Sequence, residues 1–512
     1  MFLEMLKISN TEGISFATAS NAYQVYYTTS DSDVFDSVID GLILEKYADE
    51  DVKEYIKHLP SNKKRIALAS LIGDDHLLWS KINEIIKEEK SGYQRLKAVY
   101  TLLKEYVKIL DVERKKHGEI LTPFEELAEP MVRLVEKYDP EFWKNKNHKV
   151  LDSSAGYGTF LILATYKFMV GLKDDFEDEE ERFKWIVENC LYYGELQARS
   201  VFSWLVAIDP HKEYKTNIYW GSFLTKDFDE HMKNVWGVEK FDLIIQNPPY
   251  QTRKEGNKKT QPLWHLFVQK SLNLLSDNAY MVMVHPGSWK NSDGMFKETQ
   301  KIMLSNHMIY LNINSYEIGN IIFGVSTDFD YYLIKNDKNI KADTKILCAN
   351  NVEYNFNLNN LEFIPSTNID RVLRLVLNEN KTKMISDSSY HTQRNFMSPK
   401  KTSEHIYPII YTVKSSGDPV FWYSSKNDRG HLGIPKVVFS NGAGSGTFID
   451  DKGEYGLSQF AYGIVDDVDN LKNIKKCLDN REFINLLGYG SASKYNKRII
   501  SCLNKDFWKE FI

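Results

Sequence analysis

The sequence is short of the features that place a protein at sight. Of its 512 residues only four are cysteine: Cys190, Cys348, Cys477 and Cys502. They are scattered, and no two have the spacing of a zinc-ligand or redox pair. That points to a reduced, cytoplasmic protein without a structural metal. No apolar run reaches the roughly 18 residues of a membrane span. The opening stretch MFLEMLKISN carries Glu4 and Lys7 where a signal peptide would have its apolar core, so secretion is not expected. A large net charge is also missing. The formal value is −5, a weak argument against a nucleic-acid binder.

That total hides two clusters of opposite sign. Residues 174–181, DDFEDEEE, hold seven acids, and without them the rest of the chain carries +2. An acid run of this kind reads as a solvated loop without a function. Arg253, Lys254, Lys258 and Lys259 sit among Gly256 and Asn257 in a basic loop. Taken alone, such a loop is solvated more often than it is bound to phosphate.

What is present is ordinary globular material, 42% hydrophobic and 26% charged, in a length that suggests about three domains of roughly 150 residues. Residues 1–115 look mainly helical beyond the first thirty; LKAVYTLLKEYVKIL has apolar residues at helical spacing. Glu113 and Lys115 form an E-x-K of the sort some nucleases use, but so short a pattern arises often by chance. From about 118 strands alternate with helices. HKVLD, LYYGEL, NIYWGSF, FDLII, AYMVMVH, MIYLNIN and DYYLIKN read as strands, and TFLILATYKFMV and PLWHLFVQKSLNLL as helices. The alternation predicts an α/β fold, a parallel sheet covered by helices on both faces. Ligands of such sheets lie outside the carboxyl ends of the strands, which puts the loops after Leu151, Gly194, Trp220 and Ile245 along one edge. Residues 339–512 are richer in Asn, Ser and Gly, with short strand-like pieces such as YPIIYTV and PKVVFS, and read as a separate mixed α/β domain.

Each of those loops has residues suited to a nucleoside. Asp152 ends the first strand, and the turn Ser153-Ser154-Ala155-Gly156-Tyr157-Gly158 leads into a helix. Paired glycines let backbone approach a ligand closely, and the helix start offers free N–H groups. Glu195 ends the second strand, where an acid in a doubly wound fold holds ribose hydroxyls. Ser222 and Phe223 end the third, where a polar group and a ring suit an adenine. The glycine-rich Asn441–Gly446 is followed by TFIDDKGEYG and no helix, so it reads as a hairpin turn or a loop.

The fourth strand ends in Asn247-Pro248-Pro249-Tyr250. Asn247 offers a side-chain carbonyl. Pro248, with a fixed φ and no N–H, presents its backbone carbonyl in a rigid direction. Both can accept hydrogen bonds from an amine on a heteroaromatic ring. Such an amine is a poor nucleophile because its lone pair is delocalised into the ring. Two acceptors held out of the ring plane draw the nitrogen toward tetrahedral geometry and free the pair. Tyr250 can stack on the ring, worth roughly 1–3 kcal/mol per base. Stiffness serves this role, because preorganised acceptors need little rearrangement during reaction.

In this order the pieces resemble amino-methyltransferases that use S-adenosylmethionine (SAM). His117–Glu119, Ile120-Leu121-Thr122-Pro123, Leu127-Ala128 and Met131-Val132 precede the glycine loop, while FVQKSLNLL, AYMVMVHPGSW and IIFGVSTDFDYYLIKN follow the NPPY segment. Over about 118–336 this is similar to the gamma class of DNA adenine-N6 methyltransferases, including the methylase part of type IIG restriction–modification enzymes. The resemblance implies a Rossmann-like class I methyltransferase sheet at 116–338, an N-terminal helical region at 1–115 and a target-recognition domain at 339–512. It implies that Thr122, Pro123, Asp152, Ala155, Gly156, Gly158, Glu195, Ser222 and Phe223 bind SAM. Asn247, Pro248, Pro249 and Tyr250 would hold the target amine, and Phe323 would pack on the flipped base. The implied partner is double-stranded DNA, its backbone touched by Arg253, Lys254, Lys258 and Lys259. No metal, membrane or protein partner is called for. Two departures stand out: Tyr157 replaces a common serine, and Gly221-Ser222 replaces Gly-Asp at the third strand. Alternative readings are a fusion that also cleaves DNA and a protein or RNA amino-methyltransferase.

Overall fold

The structure is a computed structural model. It describes residues 84, 85, 88, 91–114 and 122–512, apart from 197–199, 202–203, 205–206, 210–212, 253–259, 291–294, 339–341, 362, 367, 377–379, 441–444 and 488–496. Most of the N-terminal helical region, Lys115, the side chain of Glu113 and the four basic residues Arg253, Lys254, Lys258 and Lys259 therefore lie outside the described residues. The chain divides into two compact units. One comprises 1–289, 293–346 and 355–357, the other 290–292, 347–354 and 358–512.

The first unit is built on seven strands: β1 (Val150–Asp152), β2 (Leu191–Glu195), β3 (Asn217–Trp220), β4 (Phe241–Gln246), β5 (Leu275–Pro286), β6 (His307–Asn314) and β7 (Phe329–Lys335). Their order is β3-β2-β1-β4-β5-β7-β6, and two short strands, β8 (Thr344–Leu347) and β9 (Glu353–Phe356), extend the sheet beyond β6. Val150 pairs with Leu191 on one side and Leu243 on the other, all in parallel. Strand order reverses at β1, so the loops after β1 and β4 diverge and open a crevice between them. This is an open α/β sheet with its switch point between β1 and β4.

One strand departs from the parallel sheet expected from the alternation. β7 lies between β5 and β6 and is antiparallel to both. A parallel return needs a crossover packed on the sheet face. The helix that joins β6 to β7, Tyr316–Phe323, buries only Gly319 and Phe323 and ends at Gly324 in the left-handed region (φ 67°). It is a turn on the rim, and the chain comes straight back.

Helices cover the faces. The helix α1 (Gly92–Arg114) precedes a π-helical turn at Phe124–Ala128 that runs into α2 (Glu129–Tyr138). The helix α3 (Thr159–Gly171) is apolar nearly all round, and nine of its thirteen residues are buried, as a helix central to a core must be. The acidic run is more than a solvated loop. Asp178 accepts from the Glu181 N–H (2.8 Å) and caps a short helix, Glu179–Trp185. Glu180 accepts from the Gly92 and Tyr93 N–H groups (2.9 and 3.3 Å) at the start of α1. A carboxylate there opposes the positive end of the helix dipole.

The second unit holds two four-stranded sheets. One contains β10 (Lys383–Ile385), β14 (Lys436–Ser440), β15 (Thr447–Asp450) and β17 (Ala461–Val465); the other contains β11 (Met397–Ser398), β12 (Tyr407–Val413), β13 (Pro419–Ser424) and β16 (Gly456–Leu457). With helices at Ile369–Val376 and Val468–Leu478 this is a mixed α/β unit. β14 and β15 pair antiparallel on either side of the glycine-rich stretch, as a hairpin requires. No described helix is long and apolar enough to cross a membrane.

Candidate active site

The NPPY segment leaves β4 at the crevice beside β1. Two consecutive residues of the β4 end are held by two consecutive serines of the β1 loop. Ser153 Oγ donates to Gln246 Oε1, and Ser154 Oγ donates to the Asn247 carbonyl at 3.2 Å. Gln246 is fully buried and spends its Nε2–H on Ser271 Oγ (2.7 Å) in the helix Trp264–Leu274. Its carboxamide thus ties the β1 loop to the helix that follows the NPPY segment. Sequence reading passed over Ser153, Ser154 and Gln246. The one visible signal was a polar residue, Gln246, closing the apolar run Leu243–Ile245.

Asn247 Nδ2 donates to Thr122 Oγ1 at 3.2 Å. The amide nitrogen is thereby turned toward Thr122, and Oδ1 is left to accept. Pro123 follows in extended conformation (φ −63°, ψ 138°) and accepts from the Ala128 N–H at 2.9 Å, which starts the π-helical turn. Beyond Pro248 and Pro249, the Tyr250 carbonyl accepts from the Leu263 N–H (3.0 Å), and Thr252 N–H donates to Gln261 O (2.8 Å). These bonds close the base of the basic stretch. The Tyr250 ring meets Phe323 edge-on, centroids 6.2 Å apart at 86°, and Phe323 in turn meets Phe329 at 4.9 Å. Phe323 is 3% exposed. Among the described residues the buried Tyr250 hydroxyl has no hydrogen-bond partner, and burial raises its pKa.

The glycine loop is shaped by two left-handed residues, Gly156 (φ 52°) and Gly158 (φ 80°), a region that non-glycine residues rarely enter. A Cβ on Gly158 would sit 2.1 Å from the Trp204 ring, whereas one on Gly156 would meet nothing within 4 Å. Gly158 is therefore packed and Gly156 faces open space. Ala155 N–H donates to the Gly194 carbonyl (3.1 Å), and Tyr193 Oη donates to the Gly156 carbonyl (2.6 Å), so the loop is fixed to β2. Tyr157, the bulky departure, is buried.

Two carboxylates flank this loop. Glu195 is held through both oxygens, by Gly156 N–H (3.0 Å) and Leu196 N–H (2.8 Å). Asp152 is 1% exposed and accepts from the Ser154 N–H at 3.1 Å. Its burial raises its pKa well above the ordinary carboxylate value; the Ser154 bond opposes the shift and the charge of Glu195 adds to it.

The third-strand residues lie differently from the expectation. β3 stops at Trp220, and Gly221 N–H donates to the Glu195 carbonyl (2.9 Å), so Ser222 and Phe223 belong to the following turn. The Ser222 carbonyl accepts from Thr225 Oγ1 (2.9 Å). Phe223 is 2% exposed, packed against Phe228 and Phe267 at 4.9 and 5.3 Å. The strand ends early because Gly221 turns the chain. The structure thus joins Thr122, Asn247 and Asp152 by hydrogen bonds through Ser154, and separately joins Gly156 to Glu195, while Phe323 packs against Tyr250.

Comparison with known proteins falls on the same region. The family described as Eco57I restriction-modification methylase matches residues 161–319. The chain is similar to the type II restriction enzyme and methyltransferase RM.BcgI of Heyndrickxia coagulans, 32% identical over 145 residues, which is 28% of this chain and 21% of that protein. It is also similar to the putative type I restriction enzyme MjaVIIIP endonuclease subunit of Methanocaldococcus jannaschii, 27% identical over 223 residues (42% and 20%). A third relative, an uncharacterized adenine-specific methylase of Mycoplasma pneumoniae, is 31% identical over 91 residues (17% and 18%). The chain spans about a fifth of the length of each of these relatives. Residues 161–319 match the Eco57I restriction-modification methylase family, and that stretch contains Glu195 and the whole of Asn247–Tyr250.

Proposed function

We propose that this protein is a SAM-dependent DNA methyltransferase that modifies the N6 amine of adenine at a specific site. The observation that carries this reading is the orientation of Asn247. With Nδ2 donating to Thr122 Oγ1, Oδ1 is the atom presented to a ligand, and it is the atom that must accept from the target amine. The relatives named for restriction–modification and for adenine-specific methylation support the substrate class.

The residues present fit SAM. Gly156 leaves open the space a Cβ would fill. Glu195, anchored through both oxygens at the end of β2 beside the glycine loop, stands where a ribose diol would be held. Asp152, buried with a single backbone donor, suits the ligand's ammonium group, and Thr122 and Pro123 close the methionine end. Ala155, Gly158, Ser222 and Phe223 complete the cofactor set. When bound, SAM supplies an electrophilic methyl group.

The chain's own residues do the rest. The target adenine leaves the helix at a cost of a few kcal/mol. Asn247 Oδ1 and the Pro248 carbonyl accept from its N6 and free the lone pair for in-line attack, while Pro249 keeps the segment stiff. Tyr250 stacks on the ring, and Phe323, behind Tyr250, sets the slot. Arg253, Lys254, Lys258 and Lys259 would touch the DNA backbone, and residues 339–512 would read the sequence.

The test is transfer of labelled methyl from SAM to unmethylated genomic DNA, followed by nucleoside mass spectrometry, with Asn247→Ala as control. N6-methyladenine that disappears in the variant supports the reading. No label on DNA with SAM binding intact would refute it in favour of a protein or RNA acceptor.

A further inference from the structure

In the second unit β11 pairs antiparallel with β13, Met397 opposite Ser424 and Ser398 opposite Tyr423, and Ser425 N–H donates to the Phe396 carbonyl at 3.0 Å. This register sets the chain before β11 beside the chain after β13. Phe396 sits at the junction: Lys426 Nζ lies 5.5 Å from its ring centre and the Arg429 guanidinium carbon 5.4 Å. Arg394 is held nearby by a turn in which Met397 N–H donates to its carbonyl (3.0 Å). On the other side, Ser398 Oγ donates to the Lys400 carbonyl (2.8 Å) and accepts from the Lys400 N–H (3.2 Å), with Lys401 next in the chain. All five cations are exposed. Over residues 391–405 and 424–431 they stand against two acids, Glu404 and Asp428. These two segments carry +3 in a chain whose formal charge is −5.

Several other basic residues of the unit are held in ion pairs. Lys436 pairs with Asp450 (2.7 Å), Lys475 with Asp479 (2.6 Å), Lys509 with Asp506 (2.9 Å), and Arg371 with Glu482 and Glu510 (2.6 and 2.8 Å). Among the described residues, Arg394, Lys400, Lys401 and Lys426 have no carboxylate within the 4.0 Å of an ion pair, and Arg429 has only its chain neighbour Asp428 (3.3 Å). Like charges gathered this way repel one another unless an anion compensates them.

The geometry points to this face, Arg394, Phe396, Lys400, Lys401, Lys426 and Arg429, as the surface on which the second unit holds the phosphate backbone of double-stranded DNA. The inference rests on the DNA-methylation reading and adds where the duplex is gripped. The cations meet phosphates, and Phe396, braced between Lys426 and Arg429, offers an apolar contact to the sugar edge. Phosphate contacts of this kind set affinity and register and carry no base information.

The test uses the full chain. Fluorescence anisotropy with a labelled random-sequence duplex of about 30 base pairs is followed as salt is raised, for the wild type and for Arg394→Gln/Lys400→Gln/Lys401→Gln/Lys426→Gln; removal of each phosphate contact should lower the slope of log K against log salt by about 0.9. Binding at about 0.1 M salt should weaken roughly tenfold or more. A control with Lys475→Gln and Lys509→Gln should bind as the wild type does. Melting temperature and SAM binding are read alongside, and the four single variants are measured in case the quadruple one is unstable. Wild-type slope and affinity in the variants, with DNA still methylated, would overturn this surface alone. Failure of the wild type both to bind and to methylate DNA would overturn the surface and the methylation reading together.

Discussion

The Asn247 carboxamide nitrogen lies 3.2 Å from Thr122 Oγ1, across 125 residues of chain. This one bond decides which way the carboxamide faces. Thr122→Val removes the acceptor and lets the group turn. Loss of a hydrogen bond worth about 0.5–1.5 kcal/mol should slow single-turnover methyl transfer by roughly 3- to 10-fold, while Thr122→Ser stays near wild type. Asn247→Ala deletes the acceptor itself and should cost about 100- to 1,000-fold, the range for one preorganised group at a reacting centre. Equal rates for Thr122→Val and wild type would show that Thr122 does not orient Asn247.

Asp152 makes stability depend on pH. Burial raises its folded pKa above the unfolded value of about 3.9. Stability from the bound proton is therefore fully present below the unfolded pKa and is lost as pH rises through the folded one. Asp152→Asn removes the buried charge, so in calorimetry without cofactor the variant should melt higher than wild type at pH 8. The gap should close toward pH 4. SAM affinity should fall in the same variant. A gap independent of pH would mean that ionisation of Asp152 is not its cause.

The Ser153–Gln246–Ser271 chain is buried throughout. Ser271→Ala takes the acceptor from the buried Gln246 Nε2–H, which costs about 1–3 kcal/mol and should show as a lower urea midpoint. Replacing all three polar groups by apolar ones should cost less than the three single changes together, because no orphan remains. Strict additivity in a double-mutant cycle would argue against the chain acting as a unit.

Glu180 accepts from the first amides of α1. Glu180→Ala should destabilise the first unit by about 1 kcal/mol, the scale of a lost helix cap. Hydrogen exchange at the Gly92 and Tyr93 amides should quicken first. Unchanged exchange there would show that Glu180 does not protect the helix start.

Much of this site was legible because β1, β2 and β4 are apolar runs that stop at residues with chemistry. Asp152, Glu195 and Asn247 each follow the hydrophobic residues that bury their strand, so position in the pattern implied position at the sheet edge. Periodicity carries no direction, however, and the antiparallel β7 could not be read from DYYLIKN. Nor does an aromatic-rich stretch announce its last strand residue: NIYWGSF continues two residues past the point where Gly221 turns the chain. The acidic run looked solvated because its partners, Gly92 and Tyr93, are more than eighty residues away. Gln246 was silent for the same reason.

Two neighbouring serines grip two neighbouring residues, Ser153 on Gln246 and Ser154 on Asn247. On the proposed chemistry this has a bearing on synthetic donors that carry a transferable group larger than methyl. Room for such a group has to come from the glycine loop, and the loop cannot retreat without drawing Asn247 after it. An enlarged donor would bind and then misalign, so discrimination against it would fall on turnover and leave affinity largely intact. Relaxing the serine grip would be the first step in fitting the protein to label DNA with bulkier tags.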